Sequence, residues 1–187
     1  MKFRMTLIAL ITVGLIAAMP LLPGKLAPVA HADVRDSEVL FRHKAWEVSL
    51  VAFDDGTFAC MAQVGNRDSS FLLWAYLNNS TSLQFYNTAW HFDNEVADVV
   101  LRVDRRPSWT LNNSNLNQNS VFFNLNDSNA SMRLLREVML GNVLNLYNSS
   151  GGLIERYSLA GSKASILRLS DCVTVLGTVD VDNNPFN

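Results

Sequence analysis

The chain has 187 residues, 49% hydrophobic and 17% charged, with 15 Lys and Arg against 17 Asp and Glu. The length fits one ordinary globular domain, and the apolar content excludes intrinsic disorder, collagen and a cysteine-stapled miniprotein.

At the N-terminus, Lys2 and Arg4 precede an uncharged apolar run from Thr6 to Met19. Pro20, Pro23 and Gly24 then lead to Ala30-His31-Ala32, a small-x-small pattern suited to signal peptidase. Residues 1–32 are therefore expected to be a secretory signal peptide and the mature protein to be periplasmic or secreted. The apolar run is shorter than the roughly 20 residues that span a bilayer, so no stable membrane anchor is expected after cleavage. Removing the leader takes away three basic residues and no acids, which leaves 12 basic against 17 acidic side chains. No basic run exceeds Arg105-Arg106, so a phosphate-neutralising patch for nucleic acid is not expected.

Residues 33–44 are polar and charged and read as a mobile lead-in to a β-rich domain spanning 45–176. In Trp46–Phe53 the even positions carry Trp, Val, Leu and Ala, while Glu47 and Ser49 take the other side, the period of a strand with one buried face. Asp54-Asp55-Gly56 marks a hairpin turn, and the return strand from Thr57 to Val64 sets Phe58, Cys60, Ala62 and Val64 on one face. Further short runs follow at Phe71–Leu77, Leu83–Tyr86, Val99–Val103, Val121–Leu125, Val143–Tyr147 and Leu153–Tyr157, separated by turn-forming residues. The pattern predicts a mainly β fold, an antiparallel β-sandwich or barrel of about seven to nine strands with one or two short helices.

The first helix is expected after the cap Asn126-Asp127-Ser128, with Met132, Leu135, Val138 and Met139 on its apolar face and Gly141 as its stop. The second is expected over Ser162–Asp171, capped by Ser162, with a flexible tail at 177–187. Cys60 and Cys172 are an even pair in an exported chain and are expected to form a disulfide. On the chain-entropy model a loop of that size restrains the unfolded state by about 4 to 5 kcal/mol.

Catalytic constellations are missing from the pattern. His43 stands between Arg42 and Lys44, and His91 follows Trp90 without a nucleophile motif nearby. Asp93, Glu95 and Asp98, with the smaller pair Asp54-Asp55, lack the ligand alternation and glycine of a calcium loop, so they read as solvated turns and no metal is expected. No Gly-rich loop opens a helix after a strand, and no cofactor is expected. Between Asn112 and Asn129, 8 of 18 residues are Asn. That run reads as an irregular loop before a strand and a helix cap, or as a polar contact surface at Asn112, Asn113 and Asn115 with Trp109 as its aromatic anchor. Asn-x-Ser/Thr sequons stand at Asn78, Asn79, Asn112, Asn126, Asn129 and Asn148.

Trp46-Glu47-Val48 followed by Thr57-Phe58-Ala59-Cys60-Met61-Ala62, and Ile154–Leu159 running into Ala160-Gly161-Ser162-Lys163-Ala164 and on to Cys172, resemble the opening and closing segments of invasion-associated locus B proteins. The resemblance covers about residues 45–172, and that family's central cysteine pair has no counterpart here. It implies a small exported β-rich protein with a part in host interaction or virulence. The function expected is an exported non-catalytic module that binds a protein or glycan partner. Two alternatives are an inhibitor of a secreted hydrolase or lysozyme, and a hydrolase assembled from His91, Asp93, Glu95 and Asp98.

Overall fold

The computed structural model describes residues 33–126 and 128–178; the segment 1–32 and the tail beyond 178 lie outside the described residues. The elements in chain order are β1 (Val34–His43), β2 (Trp46–Phe53), β3 (Phe58–Gly65), β4 (Ser69–Tyr76), β5 (Thr81–Asn87), β6 (Phe92–Val103), β7 (Trp109–Gln118) and β8 (Ser120–Leu125). Then come α1 (Asn129–Leu140), β9 (Val143–Asn148), β10 (Leu153–Ser158) and α2 (Ser162–Thr178). The ten strands form one antiparallel sheet in the order β1-β2-β3-β4-β5-β8-β7-β6-β9-β10.

The first five strands are successive hairpins, each fixed by local turn chemistry. At the β2–β3 turn Gly56 adopts φ +84, and the Asp55 carboxylate accepts from the amide and hydroxyl of Thr57 at 2.8 and 2.7 Å. These bonds, the hydroxyl's first, hold the Asp55 carboxyl below its ordinary range. After β5 the chain jumps over the places later taken by β8 and β7 to begin β6. Asn119, in the one-residue β7–β8 turn, clamps the crossing segment by donating to the carbonyls of Thr88 and Trp90 at 3.2 and 2.6 Å. α1 then returns the chain from β8 to β9, a step of three strand spacings or roughly 14 Å, which a helix about 18 Å long covers.

One face of the sheet is the core. It carries Trp46, Val48, Cys60, Phe71, Leu73 and Phe85, and it packs against Leu134 and Val138 of α1 and Leu169 and Cys172 of α2. Cys60 and Cys172 form the expected disulfide, with Cα atoms 6.1 Å apart. The sheet curls so that β10 approaches the opposite end. The indole of Trp46 donates to the Ser158 carbonyl at 3.2 Å, and the Ser69 hydroxyl donates to Glu155 at 3.1 Å beside the Tyr157 hydroxyl at 3.3 Å.

Several expectations are corrected. Residues 34–43 form β1, paired with β2 through two register shifts, where a lead-in was expected. The Asn-rich stretch holds β7 instead of a loop, so the sheet has ten strands, two more than the apolar runs indicated. β7 is hard to read because its outward positions are mostly amides and its alternation slips once. Two residues, Asn112 and Asn113, face the single Asp98, with Asn113 at φ +57 and its amide donating to the Asp98 carboxylate at 2.9 Å. In α1, Ser128 caps as expected, accepting from the Ser131 amide at 3.2 Å, but the buried face is Ser131, Leu134 and Val138, and Met132 is exposed. Gly141 ends α1 at φ −87, so its role is steric: a Cβ there would meet Val103 Cγ1 at 2.3 Å. Ser162 does not cap its own helix but donates to the Val138 carbonyl of α1 at 2.8 Å, and α2 continues to Thr178, past the expected end at Asp171 and into the expected tail.

Two outcomes follow. Cys60→Ser should lower stability by about 2 to 5 kcal/mol in denaturant unfolding, and peptide mapping without reductant should recover the two cysteines joined. Second, burial pushes the Tyr157 hydroxyl up to about 12, with the Glu155 charge adding to it and the Ser69 bond opposing. The unfolded chain loses this proton near pH 10 and the folded one keeps it to about 12, so the stabilisation is complete below pH 10 and is lost as pH rises between the two. Thermal midpoints of the parent should fall over that window, and the fall should be shallower in Tyr157→Phe.

Candidate functional site

The other face of the sheet carries the candidate site. Strand alternation sends Glu47, Ser49 and Val51 of β2, Ala59, Met61 and Gln63 of β3, Ser70, Leu72, Trp74 and Tyr76 of β4, and Gln84 and Tyr86 of β5 outward. Val51, Ala59, Leu72 and Trp74 form a second apolar cluster with Phe53, Met61, Tyr76 and Tyr86 packed against it, and no residue of either helix belongs to it. These side chains shield one another. Register sets Trp74 opposite Met61 on one side and Ser82 on the other, so the thioether packs beside the indole and the small serine leaves room for it. It ends up only 8% exposed without any covering element.

Polar side chains fix this surface. Trp74 Nε1 donates to Gln84 Oε1 at 2.7 Å, and Gln84 Nε2 donates onward to Ser120 Oγ at 2.8 Å. Glu47 accepts from Arg42 Nε at 2.9 Å and, more weakly, from Gln63 Nε2 at 3.4 Å. Phe53 and Tyr76 flank the indole, with ring centroids 6.1 and 6.4 Å away. Burial raises the Tyr76 hydroxyl above its ordinary range, with Ser82 opposing.

Across this face runs a groove of about 550 Å³. Leu72, Met61, Trp74 and Tyr86 give it apolar surface, Glu47, Gln63 and Gln84 give planar hydrogen-bonding groups, and Arg67 of the β3–β4 turn and Ser37 of β1 stand at its margins. The arrangement suits an amphipathic ligand with flat apolar faces and polar edges.

The residues singled out from the sequence lie elsewhere. Trp109 is held against α1: its Nε1 donates to the Glu137 carboxylate at 2.9 Å and the Arg133 guanidinium sits 4.6 Å from its ring centre. Asn112, Asn113 and Asn115 are exposed on β7, with the Asn113 amide committed to Asp98. His91 is exposed, its Nδ1 3.2 Å from the Ala89 carbonyl. Asp93, Glu95 and Asp98 are exposed along β6, a strand where turns were expected. His43 is likewise exposed at the end of β1, its ring stacked on Phe41 at 6.2 Å. Among the described residues no group of His, Cys, Asp and Glu is placed to hold a metal ion. No described helix is long and apolar enough to cross a membrane. The signal for the groove was present in β4, where Phe71-Leu72-Leu73-Trp74 is apolar on both faces; a one-sided strand has no use for Leu72 and Trp74. No family model, curated protein or solved structure matches the chain.

Proposed function

We propose that the protein is an exported, non-catalytic β-rich module that binds a glycan in the groove over β1–β5. The observation that carries this reading is the lining of that groove. A saccharide offers C–H faces to apolar and aromatic side chains, and hydroxyl edges that pair with planar amides and carboxylates, which are the groups Met61, Trp74, Tyr86, Gln63 and Glu47 supply. The lock between Trp74, Gln84 and Ser120 holds the floor in place before a ligand arrives, which lowers the entropy lost on binding. Export is supported by the disulfide, which suits an oxidising compartment, and by the leader pattern at 1–32. A role in host contact rests on the resemblance to invasion-associated locus B proteins. The hydrolase alternative has less behind it, because His91 and the acids Asp93, Glu95 and Asp98 are spread over exposed positions.

Screening the protein on an array of bacterial and host glycans should retain at least one class, and calorimetry should place it in the groove. Gln63→Ala and Tyr86→Ala, both at half-buried outward positions, should each weaken binding about tenfold, the equivalent of one or two lost hydrogen bonds or a lost ring contact. Retention of extended peptides in place of saccharides, or full affinity in both variants, would overturn the assignment.

A further inference from the structure

We propose that the groove over β1–β5 selects glycans that carry acetamido groups, as N-acetylated amino sugars do; this rests on the glycan reading above and names the chemistry of its ligand. Two glutamines of the groove are turned in opposite senses by partners that leave them no choice. An indole N–H can only donate, so Gln84 turns Oε1 to the Trp74 ring at 2.7 Å, and its amino group is left as the donor. One hydrogen of that amino group goes to Ser120 Oγ at 2.8 Å, and among the described residues the second has no partner. A carboxylate can only accept. Gln63 therefore turns Nε2 to Glu47 at 3.4 Å and presents Oε1 as an acceptor. Glu47 is itself held in place by Arg42 at 2.9 Å.

Register sets the two amides in one row across the sheet. Gln63 lies opposite Leu72 and Leu72 opposite Gln84, so acceptor and donor stand two strand spacings apart, roughly 10 Å, with an apolar side chain between them. An acetamido group has the complementary layout: an N–H to one side, a carbonyl to the other, and a methyl that rests on the leucine. Hydrogen-bonded at both ends it spans roughly 8 Å, and Gln63, held only by its 3.4 Å contact, can lean to close the difference. A hydroxyl, which both donates and accepts, gains nothing from this fixed polarity and sets a polar group against Leu72. The next row holds Met61, Trp74 and Ser82, and the Ser82 hydroxyl is committed to Asn124 at 2.7 Å. One amide is thus matched, whereas an extended peptide offers one at every residue. The charged side chains of the lining, Glu47 and Arg67, balance, which favours a neutral acetamido group over a free amine or carboxylate.

Calorimetry tests this by comparing the tetramer of N-acetylglucosamine, chitotetraose, with cellotetraose, which has the same linkage and carries hydroxyls in place of the acetamido groups. Chitotetraose should bind about tenfold more tightly or better, the equivalent of one or two added hydrogen bonds. Gln84→Glu keeps an acceptor for the Trp74 indole and removes the donor, so it should weaken chitotetraose about tenfold and close the gap between the two ligands. Gln63→Leu, which removes the acceptor, should do the same. The ligand comparison is made on the parent protein and stands even if a variant fails to fold. Equal affinity for the two tetramers, no binding of chitotetraose, or an undiminished gap in Gln84→Glu overturns the acetamido assignment; the glycan reading survives each of these as long as the array retains some saccharide, and falls with it if none is retained.

Discussion

Cys60 sits in the middle of β3 on the face that the helices cover, and its bond to Cys172 joins that strand to the third turn of α2. The curl of the sheet brings β10 over part of its own apolar face, and the helical layer must cover the rest. α2 lies over β1 to β4 and also against α1, and the Ser162 hydroxyl, bonded to the Val138 carbonyl, joins the two helices where α2 begins. Close approach at this layer also explains Gly141. The helix must end within van der Waals reach of Val103 and Leu159, and a side chain would push it away.

Because the helices are committed to one face, the other is left to cover itself. It does so over β2 to β5 by packing an indole against Phe53, Met61 and Tyr76 and locking it with a glutamine. The resulting surface is both apolar and firmly positioned, which is uncommon for an uncovered sheet face and is the physical basis for assigning binding there.

The asparagines follow a different logic. Four of the eight in the 112–129 run do structural work: Asn113 takes the left-handed residue of a bulge, Asn119 clamps the chain crossing, Asn124 accepts from Ser82 across the β5–β8 ladder, and Asn126 accepts from Ser128 and Ser131. The Asn119 side chain supplies a partner to backbone carbonyls where the chain leaves the ladder.

Local pattern was sufficient for the mainly β class, eight of the strands, the β2–β3 turn, both helices and the cysteine pair, since each depends on residues a few positions apart or on a pairing with one solution. β1 and β7 escaped because edge and solvent-facing strands carry charges and amides, whose intrinsic preferences oppose the state that pairing imposes. Strand order was also out of reach: no feature of Thr88–His91 announces that the chain steps over two strands not yet made. The groove lay half in view, as an apolar run in β4 too long for one face. What completed it was register, which sets Glu47 beside Gln63, Gln63 beside Leu72 and Leu72 beside Gln84. The sequence by itself determined which residues turn outward, because a strand's period is two; only the tertiary structure decided which outward residues become neighbours and which face the helices leave bare, because both depend on pairings between segments far apart in the chain.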